Sequence, residues 1–322
     1  MSTGGGKRAI VAALLANLGI AVSKFVAFLI TGSSSLLAES VHSVADTGNQ
    51  GLLLLGGKRA AREPDPEHPF GYGNDRYFYA FVVALVLFSL GSLFALFEGY
   101  EKISHPNPLD SPAIAVGVLV LAIGLESFSF RTAIRESTPL RGSLSWWGFI
   151  RRSKSPELPV VLLEDAAALL GLVFALLGVG LAVALDEPRF DGVGTLAIGL
   201  LLGVVAAILA VEMKSLLTGE SASADQVEAI RTALVDGRDI TRVIHMRTLH
   251  LGPEELLVAA KIGLRPELDL PAVAAAIDAA ERRVRAAVSI AHLLYLEPDL
   301  YRAPVGPDAS GARPSAPEAR IR

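Results

Sequence analysis

Apolar residues fall into six stretches long enough to cross a bilayer, separated by short polar segments. They run from about Ala9 to Ile30, Leu36 to Gly57, Tyr77 to Gly99, Pro112 to Phe130, Leu158 to Leu185 and Gly192 to Met213. After Lys214 the pattern changes to that of a small soluble unit. Ala224 to Val235 and Leu270 to Ala286 carry helical periodicity. Asp239 to Leu251 and Glu255 to Leu264 alternate as a hairpin turning at Gly252-Pro253, and Ala291 to Glu297 reads as a last strand. This α-β-β-α-β order predicts helices on one face of an antiparallel sheet. From Ala303 onward Pro, Gly, Ser and Ala dominate, and a disordered tail is expected. The expected organisation is therefore a six-helix transmembrane domain over 7–215, a cytoplasmic α+β domain over 216–302 and a tail over 303–322.

Composition agrees with a membrane protein. Of 322 residues, 52% are hydrophobic, and the mean hydropathy is +0.47, above that of average soluble chains. A net charge of −4 offers no basic surface for nucleic acid. Cysteine is absent, which excludes disulfides, thiolate metal sites and cysteine nucleophiles. Any metal must be held by nitrogen and oxygen. The N-terminal Met-Ser-Thr-Gly-Gly-Gly-Lys-Arg leads into the first apolar stretch without a small-residue cleavage site, so a retained helix is expected. Lysine and arginine crowd the termini and the second and fourth loops, while the opposite loops hold only Lys102 and Arg189. The positive-inside rule then puts both termini in the cytoplasm, and a bacterial inner (plasma) membrane is the expected location.

Within the second stretch, His42 and Asp46 are four residues apart, on one helical face. Ionisable groups at bilayer depth are costly and usually face a bundle interior. The pair suits a divalent metal; a hydrogen-bonded core histidine and a helix-end charge are the plainer alternative. Asp165, preceded by Glu164, brings carboxylates to the fifth stretch. Asn17 and Lys24 lie in the first, with Lys24 expected to snorkel or pair with a carboxylate. Glu98, Glu101 and Glu126 are expected near helix ends in contact with water. The loop from Arg62 to Arg76 could recruit cations or simply be solvated. Trp146-Trp147, with Arg151 and Arg152 nearby, suits either the headgroup level or packing on the soluble unit. No nucleophile and base stand out as a hydrolytic pair, so no enzyme is expected.

Four stretches together resemble the cation diffusion facilitator family of divalent-metal transporters. They are Thr31 to Asp46, the loop Glu67-His68-Pro-Phe-Gly-Tyr72-Gly, Phe97-Glu98-Gly with Pro106-x-Pro108 after it, and Leu296-Glu297-Pro298-Asp299. The block from Arg141 to Asp165 looks more narrowly like that family's zinc transporter nine branch. The resemblance implies an α-helical polytopic protein of six transmembrane helices with a ferredoxin-like, metallochaperone-like C-terminal domain, assembled as a homodimer in the lipid bilayer. It also implies a metal site of His42, Asp46 and Asp165. Where the family usually has the remaining ligand this chain has Val161, leaving water or Glu164 to complete the shell. Adjacent helical residues point about 100° apart, so Glu164 would need a distortion or an outer role. Asp65 and His68 match a loop metal site whose second histidine is replaced by Tyr72. Tyr295 stands where relatives with structural zinc have histidine, and His245, His250 and His292 do not restore that pattern.

The implied function is export of a metal from the cytoplasm in exchange for protons. Zn²⁺ is the expected substrate, with Mn²⁺, Fe²⁺, Co²⁺ or Cd²⁺ as alternatives, and no prosthetic group is expected. A metal sensor or docking protein that keeps the fold without transporting is the rival, as is a transporter selective for manganese or iron.

Overall fold

The computed structural model describes residues 18–301. Asn17, Lys7, Arg8, the start of the first stretch and the tail over 303–322 lie outside the described residues. Those described fall into two compact units. The first runs through Ala222 and includes the hairpin tip Leu249–Leu256; the second holds Ser223–Thr248 and the chain from Leu257.

In the first unit α1 is seen as Leu18–Thr31. Thr31 donates its hydroxyl to Ala27 O at 2.8 Å, and Gly32, at φ 65°, turns the chain into α2, Ser34–Ala60. Ser33 caps α2, its side chain accepting from Leu36 N. A carboxylate from elsewhere completes this end. Asp191 accepts from Ser34 N at 2.8 Å, Ser33 Oγ at 3.0 Å and Ser34 Oγ at 3.1 Å. An anion at a helix N-terminus meets free N–H groups and the positive end of the helix dipole, so Thr31-Gly-Ser-Ser-Ser works here as an anchoring sequence.

Among the described residues four helices are long and apolar enough to cross a membrane: α3, Asp75–Ser104; α4, Pro112–Arg141; α6, Glu157–Ala184; and α7, Arg189–Thr218. Between α4 and α6 lies the short α5, Trp146–Arg152. By length α2 matches them, but it is too polar to count, because it is built inside out. Glu39, Ser40, His42, Ser43, Asp46 and Asn49 are buried, while Val44, Leu54 and Leu55 are exposed. The fourth apolar stretch was expected to end at Phe130; instead the helix continues through Arg141, as the polar run from Arg131 keeps good helix formers. Tight approach needs missing side chains: a Cβ on Gly99 of α3 would lie 2.7 Å from Leu196 N and 2.9 Å from Gly192 O of α7. A π turn, Val83–Phe88, interrupts α3 and aims Phe88 inward.

The second unit is built from α8 (Ala224–Leu234), β1 (Ile240–Gly252), β2 (Glu255–Leu264), α9 (Leu270–Ala287) and β3 (Leu293–Asp299). Ser223 and Gln226 form a capping box on α8, and Asp269 caps α9. Strand order is β1-β2-β3. The antiparallel expectation fails for one pair: β2 and β3 run parallel, from Leu257 opposite Leu293 to Gly263 opposite Asp299. The reason is the intervening α9, since a helix crossover returns the next strand in the same direction. Ile230, Leu234, Val258, Ile262, Ala280 and Val284 fill the core.

Candidate metal centre

Burying one face of α2 forces its polar side chains to find partners among themselves or on neighbouring helices. At one end of that row Lys24 of α1 donates to Glu39 Oε2 at 3.1 Å and to Ser43 Oγ at 2.9 Å, with lysine and glutamate 1% and 0% exposed. The sequence expectation that Lys24 pairs with a carboxylate is met by Glu39.

One turn further on, His42 Nδ1 is 3.5 Å from Asp46 Oδ1. The ring of Phe88, delivered by the π turn, lies with its centroid 6.3 Å from that of His42 and closes one side. From α6 the Glu164 carboxyl comes within hydrogen-bonding reach of Asp46 and Asn49. Four buried atoms around this chamber have no hydrogen-bond partner: His42 Nε2, Asp46 Oδ1, Asn49 Oδ1 and Glu164 Oε2. A buried polar atom without a hydrogen bond calls for an explanation, and a bound ion or a shared proton is one.

Asp165 is oriented differently. Its Oδ2 accepts from Ser129 Oγ of α4 at 3.1 Å. Glu164, not Asp165, therefore faces α2, and it does so on an uninterrupted helix. The structure brings His42, Asp46 and Glu164 together and directs Asp165 to the seam with α4. Among the described residues no three or more His, Asp or Glu side chains stand, as placed, in a set that could hold a metal ion. Asn49 was missed by sequence reading; it lies three residues beyond Asp46, and an amide at that spacing was the available signal. Glu126 lies in the middle of α4, not near an end, and borders the same region.

The loop after α2 is closed on itself. Tyr72 donates its hydroxyl to Asp65 Oδ2, and the backbone amides of Glu67 and His68 donate to Asp65 Oδ1 at 3.1 and 2.8 Å. The Tyr72 hydroxyl and these amides hold the Asp65 carboxyl below its usual range. His68 Nδ1 is 3.5 Å from Asp65 Oδ1, and its ring stacks on Tyr72 with centroids 4.4 Å apart. Tyrosine at this position thus occupies the carboxylate that a metal would need.

His250 is 2% exposed, and burial lowers its imidazole below the ordinary value. His245 shares a surface groove with Tyr295 and Glu297, and His292 is exposed.

Comparison with known proteins matches residues 10–218 to the family described as the cation efflux transmembrane domain. The chain is 36% identical over 263 residues to the proton-coupled zinc antiporter SLC30A9, mitochondrial, of Xenopus laevis, covering 80% of this chain and 46% of that protein. To the Homo sapiens protein of the same name it is 34% identical over 225 residues, covering 69% of this chain and 39% of that protein. Metal tolerance protein C4 of Arabidopsis thaliana is 26% identical over 265 residues, or 81% of this chain and 58% of the relative. The chain thus spans less than half the length of the antiporters it matches. The expectation of a bacterial inner membrane is overturned, because these antiporters are mitochondrial by name. Hydropathy and loop charge report that a chain crosses a bilayer and how its basic loops are sided, but not which bilayer it crosses.

Proposed function

The chain belongs to the cation efflux family, and on that premise we propose that it is a secondary transporter exchanging a divalent metal ion, zinc foremost, for protons by alternating access at the His42–Asp46 chamber. The relatives named as proton-coupled zinc antiporters support this reading. The observation that carries it is the group of partnerless buried atoms, His42 Nε2, Asp46 Oδ1, Asn49 Oδ1 and Glu164 Oε2. One imidazole nitrogen with several oxygens is a donor set for zinc or for the harder manganese and iron ions.

Coupling follows from the same atoms. A metal needs neutral imidazole and ionised carboxylates, so metal and protons compete for one set of donors, and loading one expels the other. Glu164 serves the state described, and Asp165 serves another. Adjacent positions on α6 point about 100° apart, so rotation of that helix exchanges one carboxylate for the other. The proposed topology has six spans, α1 and α2 joining the four apolar helices. The domain limits are those drawn from the sequence, 7–215 and 216–302, with a homodimer as the working unit. Metal leaves the compartment that the basic loops face.

The test is zinc flux in proteoliposomes under an imposed pH gradient. Uptake should rise with the gradient and collapse in the Asp46→Ala/Asp165→Ala double variant; unchanged uptake by that variant refutes the reading. A sensor that binds without transporting remains the rival, favoured by the apolar Val161 and the absence of a ready three-donor set among the described residues. Zinc binding by calorimetry with no flux under any gradient would establish it.

A further inference from the structure

One carboxylate beside the chamber has no part in the scheme above. Glu126 lines a narrow cavity with Ser43 and Asp46, closed by Ile20 of α1. Asp46 of α2 and Glu126 of α4 thus share one small cavity.

The rest of α4 gives no reason for an acid at this depth. Val120, Leu121, Leu125 and Phe128 around it are exposed apolar side chains. A carboxylate among them is costly unless a cation meets it. The ammonium of Lys24 on α1 is already engaged by Glu39 and Ser43. Asp46, which lines this cavity, keeps Oδ1 without a hydrogen bond, with only His42 Nδ1 at 3.5 Å, and its side chain is more than nine-tenths buried. On α6 the position one turn before Asp165 cannot contribute, because Val161 packs into an apolar cluster with Ala133, Phe149 and Leu162.

We propose that Glu126 is a binding residue for the transported cation, holding the ion jointly with Asp46 across the α2–α4 cavity and supplying from α4 the oxygen that Val161 does not supply from α6. The proposal rests on the transporter reading and adds to it a helix that the sequence left out of the site. It also explains an acid set between exposed apolar side chains of α4: the ion is its partner during transport.

The full chain in detergent, titrated with Zn²⁺ at equilibrium, tests this, with metal-free thermal unfolding as the control for folding. Glu126→Gln should weaken binding roughly 10- to 100-fold while unfolding at the wild-type temperature, and Glu126→Asp should recover part of the loss. Should Glu126→Gln fail to fold, Glu126→Asp decides alone: weaker binding than wild type supports the proposal, and equal binding overturns it. Wild-type affinity in Glu126→Gln, alongside lost binding in Asp46→Asn, overturns the role of Glu126 and leaves the transporter reading standing. A wild-type chain that binds neither Zn²⁺ nor Mn²⁺ overturns both.

Discussion

Lys24 Nζ meets Glu39 Oε2 at 3.1 Å, with both side chains sealed from solvent. A buried ion pair is a weak stabiliser compared with an apolar pair of the same shape, yet breaking one side of it strands a charge. Lys24→Met should therefore cost ~3–5 kcal/mol, and Lys24→Met/Glu39→Leu should recover most of it. Unfolding of the two variants in detergent, completed as a double-mutant cycle with Glu39→Leu, measures the coupling.

The same carboxylate limits what Gly171 tolerates. A Cβ there would lie 2.5 Å from Glu39 Oε1. Gly171→Ala should push Glu39 off Lys24 and destabilise the fold by about 1–3 kcal/mol. The loss should shrink in a Glu39→Leu background, which removes the oxygen that the methyl group meets.

Asp191 holds the start of α2 through three hydrogen bonds of 2.8 to 3.1 Å. Each is a bond to a charged group, worth about 1.5–3 kcal/mol. Asp191→Ala should lower stability by at least one such bond. Hydrogen exchange should locate the effect, with the Ser34 amide losing protection before the middle of α2 does.

The loop carboxyl of Asp65 should report its environment by titration. Its folded value is held below the unfolded one, so its contribution to loop order is fully present above ~3.9 and is lost as pH falls through the depressed folded value. Tyr72→Phe removes the leading cause and should move the value upward, as read by NMR of the Asp65 side chain. Tyr72→His should go further: with Asp65 released and a second imidazole beside His68, the loop should bind Zn²⁺ more tightly than the wild-type loop does.

Hydrophobic runs alone located α3, α6 and α7 to within a few residues, because a helix that buries small residues and shows apolar ones to lipid leaves a continuous signal. The end of α4 was less legible, since its last turns are polar and only their helical propensity marks them. His42 and Asp46 were readable from spacing. Which of Glu164 and Asp165 faces α2 was not: neighbouring positions differ by a rotation that depends on how α6 packs, and that packing is set by residues far away in the chain. Asp191 escaped for the same reason, as its partners lie at the start of α2, distant in sequence. The parallel β2–β3 pair was decipherable in principle from α9 between the strands.

The polar interior of α2 has a consequence for how the protein is made. An aspartate at the centre of a membrane segment costs ~2.5–3.5 kcal/mol on insertion scales, and α2 carries Glu39, His42 and Asp46 along one side. Leaving the translocon alone, this segment would have little reason to enter lipid. Its insertion is best satisfied when α1 arrives with it and Lys24 meets Glu39, so that the two segments partition as a hairpin whose charges are already matched.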